Sequence, residues 1–278
     1  MPTLRETLCR LLGCHEDAPI PPAPSPGPTP PPSPTPTPPP PSPSPGPTPP
    51  PPTFYDDFSS GRLDTSKWQI STWGAPGGSA THTGTFVTRN VTFVDGMLCL
   101  VLNQGKTGSK YTSECAEIAT LQKFSYGTYE FEVRASSTAA TSTAVGNPVS
   151  GSITGCFSYA TNAETEIDIE VEGNERHPLT QCTTWNFDSE PNEHHYVPPS
   201  DGVKPHQAFF RYKYIWEPGK VRFYRNDVLI ATHTEVVGTK PASFLFNHWG
   251  TNDTAWGGNA TINTKRYMYI KNFKFTAR

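Results

Sequence analysis

The 278-residue sequence predicts an all-β domain, a two-sheet β-sandwich or jelly roll, over residues 54–278. Three observations predict it. Apolar and polar residues alternate with period two along several segments, turn dipeptides punctuate those segments, and no long helical pattern competes.

Taken in order, residues 1–18 form a short N-terminal segment whose Leu4, Leu8, Leu11 and Leu12 fall at helical spacing. It lacks the apolar run of about 7–15 residues that a secretory signal needs. Residues 19–53 are almost entirely Pro with Ser, Thr and Gly. Such a tract cannot bury apolar surface and favours extended polyproline II, so a disordered linker is expected. At about 3.1 Å per residue it reaches roughly 100 Å. From Phe54 the composition changes. NVTFVDGMLCLVLN gives two strands around Asp95-Gly96, a dipeptide suited to tight hairpins. GTYEFEVRAS sets Tyr129, Phe131 and Val133 against Glu130, Glu132 and Arg134. KVRFYRNDVLIATHT gives a hairpin around Asn226-Asp227, and RYMYIKNFKFTA supplies a last strand.

A formal net charge of −3 and a pI near 6.2 give no electrostatic reason to expect nucleic acid. No apolar run reaches 18 residues, so no membrane span is expected.

One stretch departs from ordinary strand chemistry. ETEIDIEVEGNE, residues 164–175, puts an acid at every second position: Glu164, Glu166, Asp168, Glu170 and Glu172. On a strand all five share one face, where like charges repel. Glycoside cleavage with retention uses two carboxyl groups about 5–5.5 Å apart. The Cα atoms of Glu166 and Glu170 lie about 13 Å apart on a strand, so their side chains must lean together over a curved sheet. Asp168, midway, can bond either one and hold their pKa values apart.

Glu166-Ile-Asp-Ile-Glu170 resembles the catalytic signature of glycoside hydrolase family 16. The flanks resemble that family too: FYDDFSSGRLDTSKW, SECAEIATLQKFSYGTYEFEVRAS, GSITGCFSYA, YKYIWEPGKVRFYRNDVLI and FLFNHWGTNDTAWGG, in that order. The resemblance implies a concanavalin-like jelly roll, with Glu166 as nucleophile, Asp168 assisting and Glu170 as acid/base. The uninterrupted signature is similar to mixed-linkage β-1,3-1,4-glucanases and xyloglucan transglycosylases. The Cys-rich C-terminal extension of the latter is absent, since no cysteine follows Cys182. Two departures touch linkage preference: Glu164-Thr165 stands where Trp-Asp is usual, and Ala119 where an Arg is usual.

The expected activity is therefore a retaining endo-β-glucanase, with wall-polysaccharide transglycosylation or non-catalytic β-glucan binding as alternatives. The partner is a polysaccharide, a monomer is expected, and location is extracellular or wall-directed although no signal is visible. Sugar subsites pair aromatic faces with hydrogen-bonding groups. Phe157, Tyr159, Trp185 and Trp249 are the aromatic candidates, with Glu117 and Asn247 as polar partners. Trp73 and Trp256 sit in Gly-rich loops able to rim a cleft, and Trp216 reads as packing at a turn.

No cofactor and no metal are expected. The calcium that family members hold through an Asp of the last strand is not expected, because Lys271 stands there. Adjacent His194 and His195 read as surface loop. Cys99, Cys115, Cys156 and Cys182 read as buried thiols, with a Cys156–Cys182 bridge as the alternative.

Overall fold

In the computed structural model, residues 53–174, 180–187, 192–198 and 202–278 are described. The N-terminal segment, with Cys9 and Cys14, and the linker up to residue 52 lie outside them.

Strands are the dominant element among the described residues. The first eight are β1 (Thr53–Asp56), β2 (Trp68–Ile70), β3 (Gly74–Ala75), β4 (His82–Phe86), β5 (Val91–Val94), β6 (Met97–Thr107), β7 (Lys110–Phe124) and β8 (Gly127–Ser137). Then come β9 (Ser152–Tyr159), β10 (Glu166–Glu172), β11 (Thr180–Trp185), β12 (Glu193–Val197) and β13 (Phe210–Glu217). The last four are β14 (Lys220–Arg225), β15 (Val228–His233), β16 (Ala242–Gly250) and β17 (Arg266–Ala277).

Both hairpins fall where their turn dipeptides place them. Asp95 and Gly96 have φ of 52° and 74°, and Asn226 and Asp227 have 48° and 65°. Positive φ at both central residues matches the right-handed twist of the strands they join. On β8 the alternation holds as far as Val133: Tyr129, Phe131 and Val133 are buried while Glu130 and Glu132 reach the surface. Arg134, however, is buried, its guanidinium donating to the carbonyls of Thr141, Ser142 and Ala144.

The strands build two sheets. One runs β5-β6-β17-β8-β13-β14-β15, with β1 continuing beside β17. The other runs β2-β7-β16-β9-β10-β11-β12, with β3 and β4 beside the first half of β7. Between them lies an aromatic core in which Phe244 of the second sheet stacks on Phe273 of the first, with centroids 4.0 Å apart. Trp216 is buried on β13, within a strand and not at a turn, and its indole N–H donates to Gly238 O at 3.2 Å. The core fixes the register of β10. Ile167 and Ile169 point into it, so the alternate residues must face the other side of the sheet.

Candidate active site

That other side is a cleft of about 630 Å³. Glu166, Asp168 and Glu170 line it together with Glu117, Phe157, Tyr159, Trp185, Asn247 and Trp249, the full set of residues expected to bind substrate. Trp73 and Trp256 rim it, as their loops suggested. Phe86, Leu245 and the segment Gly74–Pro76 also line it. Nothing local in the sequence marks these, because they arrive through strand pairing and loop folding.

Cross-strand register explains how a row of acids survives. Glu166 lies between Tyr159 on β9 and Trp185 on β11. Asp168 lies between Phe157 and Thr183, and Glu170 between Gly155 and Gln181. No acid faces another directly across strands, so the strongest like-charge repulsion is avoided.

Beyond Gly155 the same row continues through Asn247 of β16 to Glu117 of β7. Glu117 accepts from Ser71 Oγ at 2.5 Å and from Asn247 Nδ2 at 3.2 Å. A Cβ on Gly155 would stand 2.2 Å from Asn247 Oδ1, so glycine is needed for the amide to lie across the strand. Asn247 Oδ1 is buried with no hydrogen-bond partner among the described residues. The next row, Asp168–Phe157–Leu245–Ala119, is apolar beyond its acid.

Burial and crowding set the protonation of the acids. Loss of water, with the negative charges of Glu166 and Glu172, pushes the Glu170 carboxyl up to about 8. Burial, then Glu166 and Glu170, raise Asp168 well above the usual carboxylate range. The Trp185 side chain opposes that shift by hydrogen-bonding Asp168, which also bonds Glu166. Burial raises Glu117 as well, against its bonds from Ser71 and Asn247. The arrangement thus holds acids of different proton affinity on one strand, which acid/base chemistry at neutral pH requires.

Several expectations are corrected. The row on β10 has four acids, not five. Glu164 sits in the αR region after the 3₁₀ turn Thr161–Ala163, before the strand begins. Thr165 is buried, and its Oγ1 accepts the Lys240 N–H at 2.9 Å. Glu172, at the far end of the row, is buried and hydrogen-bonded. His194 and His195 lie on β12, not in a loop, and the rings of His195 and His233 meet at 2.9 Å between Nδ1 and Nε2. The four described cysteines are buried free thiols, as the sequence suggested, and Cys156 and Cys182 are kept apart by Ile169 on the strand between theirs. Lys271 pairs with Glu132 at 2.5 Å and lies 4.2 Å from the Phe209 ring centroid.

Comparison with known proteins places the chain in a family. Residues 79–266 match the family described as Glycosyl hydrolases family 16. An endo-1,3-1,4-beta-glycanase of Rhizobium meliloti (strain 1021) is 28% identical over 232 residues, 81% of this chain and 79% of that protein. A beta-glucanase of Paenibacillus macerans is 28% identical over 200 residues, 69% of this chain and 76% of that one. Among solved structures, the Bacillus licheniformis beta-glucanase superposes with a TM-score of 0.65 at 21% identity, covering 81% of this chain and 98% of its own. The catalytic domain of the Thermotoga maritima MSB8 laminarinase gives 0.62 at 16% identity, covering 81% and 97%. At these identities the two structures establish the shared jelly-roll fold.

Proposed function

This chain belongs to glycosyl hydrolase family 16, and from that premise we propose that it is a retaining endo-β-glucanase acting on β-1,3-1,4- or β-1,3-linked cell-wall glucan. The observation that carries the reading is the placement of Glu166, Asp168 and Glu170 along one aromatic-lined cleft. The activities named for the two relatives support the substrate class.

In this reading the Glu166 carboxylate attacks the anomeric carbon while Glu170 gives its proton to the departing glycosidic oxygen. A glycosyl ester of Glu166 results. Glu170, now ionised, takes a proton from water as the water oxygen attacks the same carbon from the vacated side. The ester breaks, Glu166 is released, and two inversions leave the configuration retained. Asp168, whose protonated form is favoured by burial and by its acidic neighbours, assists by hydrogen-bonding Glu166. Phe157, Tyr159, Trp185 and Trp249 offer faces or edges to pyranose rings. Asn247 Oδ1, without a partner among the described residues, accepts a sugar hydroxyl, and Glu117 orients that amide. The work is extracellular or wall-directed and needs neither metal nor second subunit, with Lys271 in place of a calcium ligand.

The test is incubation of the full chain with lichenan, laminarin and xyloglucan, followed by linkage analysis of the products. Shortened lichenan or laminarin with β-configured new ends is expected. Exclusive action on xyloglucan, or chain exchange without net hydrolysis, would overturn the glucanase assignment. Binding of all three without cleavage would indicate a lectin.

The residues that line the cleft all lie between Trp73 and Trp256. Deleting residues 1–52 is therefore expected to change kcat/KM on soluble glucan by less than about twofold, within ordinary surface effects. Loss of turnover would show that the linker takes part in folding or catalysis.

A further inference from the structure

The acid row of β10 continues one step past Glu170. Glu172 shares the face of the other acids, yet it does not reach the cleft and is only 3% exposed. Its carboxylate accepts three hydrogen bonds: Gln181 Nε2 at 2.7 Å, Asn174 Nδ2 at 3.0 Å and the Gly257 backbone N–H at 2.7 Å. An isolated buried carboxylate is costly, and this one is fully engaged. A leucine or valine would suit a buried strand end without any such demand.

The three donors belong to three different parts of the site. Asn174 lies just past the end of β10, and Gln181 on β11 is the cross-strand neighbour of Glu170. Gly257 follows Trp256, which rims the cleft. The loop is held tightly at this glycine. Gly257 has φ of 75°, and a Cβ there would stand 2.6 Å from Thr251 Cγ2 and 2.8 Å from Ile153 Cδ1. Its carbonyl accepts the Gly151 N–H at 2.7 Å.

We propose that Glu172 is a positioning residue of this site, fastening the Trp256 loop to the strand that carries Glu170 and holding a fixed negative charge behind it. The inference rests on the hydrolase reading above. One carboxylate thereby links the sugar-binding wall to the acid. Glu166 and Glu172 are the two charges that favour a protonated Glu170. Other titratable groups nearby are Asp168 on the same strand, Glu117 across Asn247, and Cys156 and Cys182 on the core side. His206, whose Nδ1 is hydrogen-bonded to the Ser136 carbonyl oxygen, is buried near the Glu172 backbone.

Two substitutions in the full chain separate the two roles. Glu172→Gln keeps the shape: its carbonyl can accept Gly257 and Asn174, and its amide can donate to a turned Gln181. Only the charge is lost. The basic limb of the kcat/KM profile is expected to move acidward by about one unit, with KM within about twofold. Glu172→Leu removes the acceptors. It is expected to raise KM roughly tenfold and to speed deuterium uptake in residues 251–261, but to add less than about twofold to KM when Trp256 is already alanine. An unmoved basic limb in Glu172→Gln would overturn the charge role. Wild-type uptake in Glu172→Leu, or an equal KM rise in the Trp256→Ala background, would overturn the fastening role. If the wild-type chain cleaves no glucan, the hydrolase reading fails, while the uptake comparison still decides whether Glu172 holds the loop.

Discussion

Glu166→Ala is expected to lower kcat/KM on β-glucan by several orders of magnitude, because no glycosyl-enzyme ester can form without the nucleophile. Azide should restore turnover of an activated aryl glycoside. It enters from the face that Glu166 vacated, so its product carries inverted configuration. Chromatography and NMR of the glycosyl azide read this directly. A retained azide product would exchange the roles of Glu166 and Glu170. Undiminished hydrolysis would remove the basis for the active-site assignment, and the acids of β10 would again lack a reason to be there.

The second large effect concerns Glu170 and has two signatures. Glu170→Gln is expected to cost about 10²–10⁴ in kcat/KM on polymer, the range for losing general acid catalysis. Substrates with good leaving groups should suffer less in the first step. Azide with Glu170→Ala should then give retained configuration, since it attacks the covalent intermediate.

Stability should move the other way. The folded carboxyl sits at about 8, against 4.5 for an ordinary glutamate, so the folded chain holds this proton more tightly than the unfolded chain does. Its contribution to stability is complete below about 4.5 and is lost as pH rises through about 8. Glutamine abolishes that loss. The variant should melt alongside wild type near pH 4 and several degrees above it near pH 8, corresponding to a few kcal/mol at most. Equal melting at pH 8 would mean that Glu170 is not strained by its surroundings. The same burial that would prime an acid for catalysis would then be costing the fold nothing.

Much of this protein is local and therefore written in its sequence. Period-two alternation in GTYEFEVRAS and positive-φ dipeptides at 95–96 and 226–227 fix strands and hairpins through interactions within a few residues. The alternation of Glu166, Asp168 and Glu170 with Ile167 and Ile169 is equally local, and it alone dictates that the acids share a face. Phe157, Tyr159 and Trp185 follow from the same periodicity once their strands are known to flank β10.

What sequence alone misjudged depends on partners far along the chain. Glu164 and Glu172 look like equivalent ends of one acidic stripe. Glu164 leaves the row because the chain turns at Thr161–Ala163, whereas Glu172 is covered by a loop arriving from residue 257, 85 positions away. His194 and His195 read as loop because their polar flanks carry no alternation, yet pairing with β11 makes them a strand. Phe86 and Leu245 join the cleft only because β4 and β16 lie near or beside β7. Residue pattern specifies which face a side chain takes. Which distant backbone covers that face, and so whether a carboxyl meets water, sugar or a buried N–H, is decided only when the sheets pack.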